Sequence, residues 1–235
     1  MLRPRIPFAV AIVSLLFGAT GCQHFLHTAP VPIPITSPST FSGVPRTEWL
    51  LDGRNMVALE PFTYWDAANV NWTAPRGTVT DGASIPKAFW SLIGGPYEGV
   101  YRDAALLHDY QCCAKQRPWR AVHRMFYEAM MARGEAPWRA KLMYFAVYHF
   151  GPRWPEQPGV MGFTEFTERD AAAAAEYLKS NPETALEEIE QLTPARLRTL
   201  VPNLAAERLT TFGLTADRVI PRIVSAEPCL MEPSH

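Results

Sequence analysis

The sequence predicts an α+β domain, in which a small, mostly antiparallel sheet packs on a core of three helices and further helices follow. Residues 47–80 contain short runs of β-branched and aromatic residues broken by Pro, Asn and Gly, the pattern of short strands. Residues 100–150 contain three segments with apolar residues at helical spacing. Residues 163–235 contain alanine-rich and acidic segments that begin at Asn-Pro and Thr-Pro, which predicts more helices.

The N-terminus has the order of a bacterial export signal. A basic start is followed by an apolar run over residues 8–17 and then by Ala19-Thr20-Gly21-Cys22. The apolar run is short for a bilayer span. The small residues before the cysteine resemble a lipobox, which predicts cleavage after Gly21 and attachment of fatty acyl chains such as palmitate to Cys22; plain secretion and an uncleaved anchor are the alternatives. Gln23 in place of an aspartate resembles an outer-membrane sorting signal, so we expect a lipoprotein facing the periplasm.

Composition divides the chain into four regions. They are a signal peptide (residues 1–21), a tether rich in Pro, Ser and Thr (22–45), a core domain (46–155) and a helical extension (156–235). Apolar residues form 48% of the chain and charged residues 19%, which is enough apolar material for a core. The net charge of −1 gives no electrostatic case for nucleic acid. The expected partner is the membrane, through Cys22, and no protein partner is indicated.

Strands and helices can be placed along the core domain. Asp52-Gly53 predicts a hairpin, and the chain turns again near Asp81-Gly82 before a short helix over residues 87–92. Three helices are then predicted from turn residues and periodicity, over residues 100–115, 119–133 and 137–150. Because only three residues join the first two, those helices should form an antiparallel hairpin.

The first of these helices carries a histidine–aspartate pair, His108-Asp109. At about 100° per residue, His108 shares a face with Ala104, Ala105 and Cys112, so it should point at the core or at the floor of a cleft. Asp109 lies a quarter turn away. Since adjacent helical residues do not face each other, we expect that the pair does not form a hydrogen-bonded dyad and that each side chain has its own partner.

Two residues outside this helix are candidate partners for the pair. Asp81 lies in the turn that leads from the sheet to the helices, and His123 lies across the helical hairpin. One hypothesis is a structural joint, in which His108 bonds a backbone carbonyl and Asp109 pairs with Arg102 or caps the turn at residues 81–84. The other is a catalytic or metal site formed by His108, Asp109, Asp81 and, less securely, His123.

Three kinds of chemistry fit such a site to different degrees. His108 could act as a general base on water while Asp81 and Asp109 orient the ring or hold a divalent cation through oxygen ligands; the similarity to secreted phospholipases A2 is superficial. A zinc hydrolase would use His108, Asp109 and His123 or His149, although no helix carries two histidines at ligand spacing. A His-Asp phosphohydrolase needs further upstream histidines in the domain, which the sequence lacks.

The remaining cysteines indicate a disulfide. With Cys22 acylated, Cys112, Cys113 and Cys229 remain, and an odd number permits at most one bridge within the chain. The periplasm permits disulfides. We therefore expect a bond from Cys112 or Cys113 to Cys229 that ties the tail to the helix.

Two motifs resemble a known family. The turn Thr80-Asp81-Gly82-Ala83-Ser84-Ile85-Pro86 and the helix Arg102-Asp103-Ala104-Ala105-Leu106-Leu107-His108-Asp109-Tyr110 occur in this order in the bacterial and phage family called domain of unknown function 1353. The resemblance covers about residues 45–155. It implies no activity, because none is established for the family.

The chain departs from the family pattern at two places. Val122-His123 stands where the family usually has Ala-Asp, and Gln111-Cys112-Cys113 stands where it usually has Leu-Tyr. His123 could preserve a polar partner or mark a site that no longer works. The sequence is therefore compatible with two functions. One is a cell-envelope hydrolase of lipid or murein that uses His108 with Asp81 and Asp109, and the other is a non-enzymatic envelope lipoprotein.

Overall fold

A computed structural model describes residues 38–83, 85–154 and 165–223, and it confirms the α+β prediction. The predicted signal peptide, Cys22 and Cys229 lie outside these ranges. Among the residues that the model describes, no helix combines the length and apolar character that crossing a membrane requires.

The strands form two antiparallel three-stranded sheets instead of the one sheet expected. The first sheet has the order β1-β4-β5 and the second the order β2-β3-β6. In chain order, the described strands are β1 (Thr40–Phe41), β2 (Thr47–Trp49), β3 (Met56–Ala58), β4 (Phe62–Trp65), β5 (Asn71–Ala74) and β6 (Val79–Thr80).

The first sheet includes residues that the sequence placed in the tether. Thr40 pairs with Trp65 and Phe41 with Tyr64, so two residues of the predicted tether over residues 22–45 lie in a strand. The reason is apolar packing: the ring of Phe41 lies 4.8 Å from that of Tyr64, and the guanidinium of Arg133 lies 3.8 Å from the Phe41 ring. This contact secures the first strand to the helical core.

The second sheet contains the predicted hairpin and delivers the chain to the helices. Its β2 and β3 strands are joined through a turn at Asp52, whose carboxylate accepts hydrogen bonds from the backbone N–H groups of Arg54 and Asn55. The last strand of the sheet, β6, pairs with β3 and contacts α2 (Arg102–Ala114). Thr80, at the end of β6, therefore faces the helical core.

Three long helices form that core, within two residues of the predicted bounds. A short 3₁₀ turn (Lys87–Phe89) and α1 (Trp90–Ile93) precede α2. The second and third long helices are α3 (Trp119–Ala132) and α4 (Pro137–Phe150). Helix α2 packs against α3 and α3 against α4, as expected for an antiparallel hairpin and its continuation. Ten of the fourteen residues of α4 are buried, so this helix lies at the centre of the core.

The helices of the predicted C-terminal extension pack on the same core. They are α5 (Glu168–Ser180), α6 (Leu186–Glu190), α7 (Pro194–Leu200) and α8 (Ala206–Thr211). Helix α5 begins with a capping box, in which Thr167 and Asp170 exchange side-chain and backbone hydrogen bonds. Its alanines pack directly on α4. Small side chains allow this close approach, which the sequence alone did not reveal.

Candidate functional site

Helix α2 places His108 and Cys112 on one buried face. The two residues are one helical turn apart, and their relative exposures are 1% and 2%. The Sγ of Cys112 lies 3.5 Å from the Nε2 of His108. The helical wheel therefore placed both side chains correctly, and the structure shows that they point into the core and not into an open cleft.

His108 contacts a second histidine across the helical hairpin. Its Nε2 lies 2.9 Å from the Nδ1 of His123, and the Nε2 of His123 lies 3.1 Å from the carbonyl oxygen of Pro152. A carbonyl only accepts, so the Nε2–H of His123 donates to Pro152. In neutral His123 the Nδ1 then accepts from the Nε2–H of His108. A backbone carbonyl was expected to bond His108, but in the structure His123 makes that bond and His108 bonds His123.

Asp109 joins the helix to the second sheet. The Oγ1 of Thr80 donates to the Oδ2 of Asp109 over 2.6 Å, and the backbone N–H of Gly82 donates to the same hydroxyl over 3.0 Å. Arg102, one of the two partners predicted for Asp109 beside the turn at residues 81–84, instead lies next to Asp103, because its side chain extends toward solvent. Thr80 therefore connects Asp109 to the turn. The sequence had indicated the carboxylates near this turn but not Thr80.

The two members of the pair are closer than helix geometry led us to expect. The Nδ1 of His108 lies 3.9 Å from the Oδ1 of Asp109, which is beyond ordinary hydrogen-bond length but close enough for strong electrostatic interaction in a buried site. A continuous polar chain results. Its six groups are, in order, the Gly82 N–H, the side chains of Thr80, Asp109, His108 and His123, and the Pro152 carbonyl. We call this set the polar network.

Burial dominates the electrostatics of the polar network. It raises the pKa of Asp109, as does the charge of Asp81, while interactions with His108 and Thr80 oppose the rise. Burial also lowers the pKa of His123 well below its usual value, and His108 lowers it further. The pKa of the Cys112 thiol is raised, again mainly by burial. His123 is therefore neutral and Cys112 a thiol at neutral pH.

Asp81 lies on the outer side of the turn. Its Oδ2 lies 2.8 Å from the guanidinium of Arg54, and its side chain is 27% exposed. Nearby, the hydroxyl of Tyr97 donates to the carbonyl oxygens of Thr80 and Arg54. The structure thus brings His108, Asp109 and His123 together, whereas Asp81 turns toward Arg54 and its charge raises the pKa of Asp109.

The cysteines on α2 differ from each other. Cys113 is disulfide-bonded, and its partner lies outside the described residues, as does the predicted partner Cys229. Cys112 is a free, buried thiol. Neighbouring positions on a helix point about 100° apart, which explains why one cysteine leaves the core while the other stays beside His108.

Three side chains of the site could hold a metal ion. One ligand atom each from His108, Cys112 and His123 lies within 4.8 Å of the others. The set differs from both sets predicted from the sequence. One was the oxygens of Asp81 and Asp109, and the other was a zinc set of His108, Asp109 and either His123 or His149. His149 lies elsewhere, with its Nε2 bonded to the carbonyl of Ile189.

Fold and site together define an α+β domain with a buried polar network where its second sheet meets a helical hairpin. Residues 56–147 match the family model described as "Protein of unknown function (DUF1353)". The family predicted from the turn and helix motifs is therefore confirmed over this segment, which contains every side chain of the polar network.

Two similar curated proteins are also named as uncharacterized. Over 117 residues, 49% of this chain and 35% of the relative, the sequence is 45% identical to the uncharacterized protein y4jT of Sinorhizobium fredii. It is 42% identical to the uncharacterized protein y4iH of the same organism over 103 residues, 44% of this chain and 43% of the relative. The chain thus spans less than half the length of these curated relatives. No solved structure matches it significantly.

Proposed function

We propose that this chain is a lipid-anchored protein of the bacterial cell envelope whose folded domain is non-catalytic, with the polar network serving as a structural joint. One observation supports the non-catalytic role: the polar network is buried and closed to solvent. The exposures of His108, Asp109 and His123 are 1%, 5% and 0%. A general base must reach its substrate's proton directly or through one water, and a buried His108 reaches neither.

The hydrogen-bond pattern supports the same assignment. Each polar group of the network has a partner inside the protein, as a structural set of buried polar groups requires. The network also connects three separate parts of the fold: the turn after β6, the helical hairpin and the segment after α4. A joint that locks the sheet to the helices accounts for all of these contacts without chemistry.

Export to the envelope is supported by the lipobox-like sequence and by the cysteines. A disulfide at Cys113 suits an oxidising compartment. Acylation of Cys22 would occupy its thiol, so the lipoprotein proposal requires that Cys113 pair with Cys229. Attachment to the outer membrane, facing the periplasm, is the location that Gln23 favours.

A direct assay distinguishes the non-catalytic function from the alternative, a hydrolase. The full chain, purified from membranes, is assayed on phospholipid and on peptidoglycan with calcium or zinc, beside His108→Ala and the matched variant His149→Ala. We expect no hydrolysis that depends on His108 and a lower melting temperature for His108→Ala. Loss of a measurable hydrolysis in His108→Ala, with unchanged melting temperature, would instead establish the enzyme.

The anchor is tested separately. Cells expressing the full chain are labelled with a palmitate analogue, and membranes are separated by density. We expect label on the wild-type protein in the outer-membrane fraction and none on Cys22→Ala. Equal labelling of Cys22→Ala, or a wild-type protein without label, contradicts the anchor.

A further inference from the structure

We propose that His108, Cys112 and His123 bind one transition-metal ion of the zinc or copper type inside the domain. This inference deepens the proposed function, since it assigns a structural metal to the sealed joint. It rests on the position of three donor atoms that α2 and α3 bring to one point.

The distances between the donors are close to those of a metal site. Bonds of 2.0–2.1 Å to nitrogen and about 2.3 Å to sulfur in tetrahedral geometry separate two nitrogens by about 3.3 Å and a nitrogen and a sulfur by about 3.6 Å. The observed separations are 2.9 Å between the two histidine nitrogens and 3.5 Å between Cys112 Sγ and His108 Nε2. The third pair, Cys112 Sγ and the donor nitrogen of His123, lies within 4.8 Å, so an ion would bind after the side chains adjust around it.

The chemistry of the donors selects the metal. Two imidazole nitrogens and one thiolate suit zinc and copper, whereas calcium and magnesium require oxygen ligands. The site is therefore unlike the oxygen-based cation site that Asp81 and Asp109 suggested in the sequence. Three protein ligands leave one position of a tetrahedral zinc ion for water, whereas copper also accepts a trigonal set of two histidines and one cysteine.

The surroundings orient both histidines as ligands. A metal-binding histidine usually donates its other N–H to a carbonyl or carboxylate. The Nε2–H of His123 faces the Pro152 carbonyl at 3.1 Å, and the Nδ1 of His108 faces the Asp109 carboxylate at 3.9 Å. The nitrogens that remain, Nδ1 of His123 and Nε2 of His108, face each other at 2.9 Å, and Cys112 Sγ lies 3.5 Å from the latter.

Metal binding would rearrange two protons. The proton that His108 holds on Nε2 moves to its Nδ1, toward Asp109, and the thiol proton of Cys112 is released to solvent as the thiolate binds. Ligand deprotonation of this kind accompanies metal binding generally. The Phe126 ring, 4.8 Å from that of His108, and the Trp119 ring, 5.4 Å from that of His123, give the site an apolar wall.

The test uses the purified full chain, stripped with a chelator and then supplied with zinc, copper or calcium alone. We expect about one equivalent of zinc or copper to remain after gel filtration, no calcium, and a higher melting temperature with the bound metal. Substitution by cobalt(II) should give a thiolate-to-metal charge-transfer band. Absence of retained zinc and copper overturns the proposal.

Variants assign the ligands. Cys112→Ser should abolish the charge-transfer band, and His123→Gln should reduce metal affinity by more than tenfold. The control His149→Gln, at a half-buried histidine that is also bonded to a carbonyl, should bind metal like the wild type. Asp109→Asn should weaken binding by about 10–100-fold. Should His123→Gln fail to fold, Cys112→Ser decides. Equal binding by Cys112→Ser and the wild type overturns the proposal.

The metal proposal and the proposed function fail in different ways. A chain that retains no metal and shows no hydrolysis dependent on His108 contradicts the metal site and leaves the non-catalytic joint intact. A chain that binds metal through Cys112 and hydrolyses lipid or murein supports the site and contradicts the non-catalytic function.

Discussion

Thr80 and Asp109 link the second sheet to helix α2 through a 2.6 Å hydrogen bond between side chains 29 positions apart. Both groups are buried, so neither can exchange this bond for one to water.

Replacing Thr80 by valine tests this link. The substitution keeps the side-chain shape and removes both the donor to Asp109 and the acceptor for the Gly82 N–H. We expect a loss of about 1–3 kcal/mol in the free energy of unfolding, because buried polar groups lose a partner. Urea denaturation measures it. Thr199→Val, at an exposed threonine on α7, is the control and should change stability by less than about 0.5 kcal/mol; equal effects of the two variants would contradict the link.

The buried histidines predict that stability falls in mild acid. The pKa of His123 lies well below 6.5, and burial lowers that of His149 to about 4. Below pH 6.5 the unfolded chain binds protons at these positions and the folded chain does not. Stability should therefore decline between pH 7 and pH 5, by up to about 1.4 kcal/mol per pH unit for each histidine.

Denaturation at a series of pH values checks this decline. The raised pKa of Asp109 acts in the opposite direction, because folded Asp109 takes up a proton at a higher pH than the unfolded residue does, so the measured decline is the net of the two effects. His149→Gln should flatten the profile between pH 6.5 and 5. A profile that is the same in His149→Gln and in the wild type would show that His149 is protonated in the folded state.

Two glycines with positive φ provide a matched comparison. Gly82 has a φ of +86°, and a Cβ there would lie 2.4 Å from the carbonyl oxygen of Pro96; Gly53 has a φ of +69° and open space. Gly53→Ala should cost only the conformational strain of about 1–2 kcal/mol. Gly82→Ala should cost at least about 1–3 kcal/mol more, because the backbone must shift. Similar melting temperatures for the two variants would show that the turn yields freely.

We predict which cysteine forms the disulfide bond with Cys113. Peptide mapping without reductant should identify a bond between Cys113 and Cys229, and Cys113→Ser should lower the free energy of unfolding by about 2–4 kcal/mol. Cys112→Ser should leave the bond intact. A bond between Cys113 and Cys22 would contradict acylation of Cys22.

The helices were predictable because their signals are local. Pro118, Gly134 and Pro137 punctuate periodic apolar segments, and the bounds of α3 and α4 followed from them. The first strand was not predictable, because Phe41 follows a proline-rich stretch and its partners, the strand β4 and Arg133 at the end of α3, are distant in sequence. Contacts between distant segments leave no periodic pattern in the chain.

The candidate site was predictable only in part. The helical wheel put His108 and Cys112 on one face, and residue counting brought His123 near them. Thr80 was not predicted, because a threonine hydroxyl carries no sequence signal of its own beside the carboxylate of Asp81, which turns outward to Arg54. The carbonyl of Pro152 could not be found, since every residue carries a carbonyl and only the fold decides which one meets a histidine.

The polar network also bears on the order of folding. Its members come from positions 80, 108–109, 123 and 152, so no single hairpin can satisfy it, and a partly assembled domain would leave polar groups without partners. We therefore expect such contacts to form late, after the folding transition state. Weakening them, as in Thr80→Val, should therefore accelerate unfolding while leaving the refolding rate nearly unchanged. The joint would then set how long the domain persists once folded and have little influence on how quickly it folds.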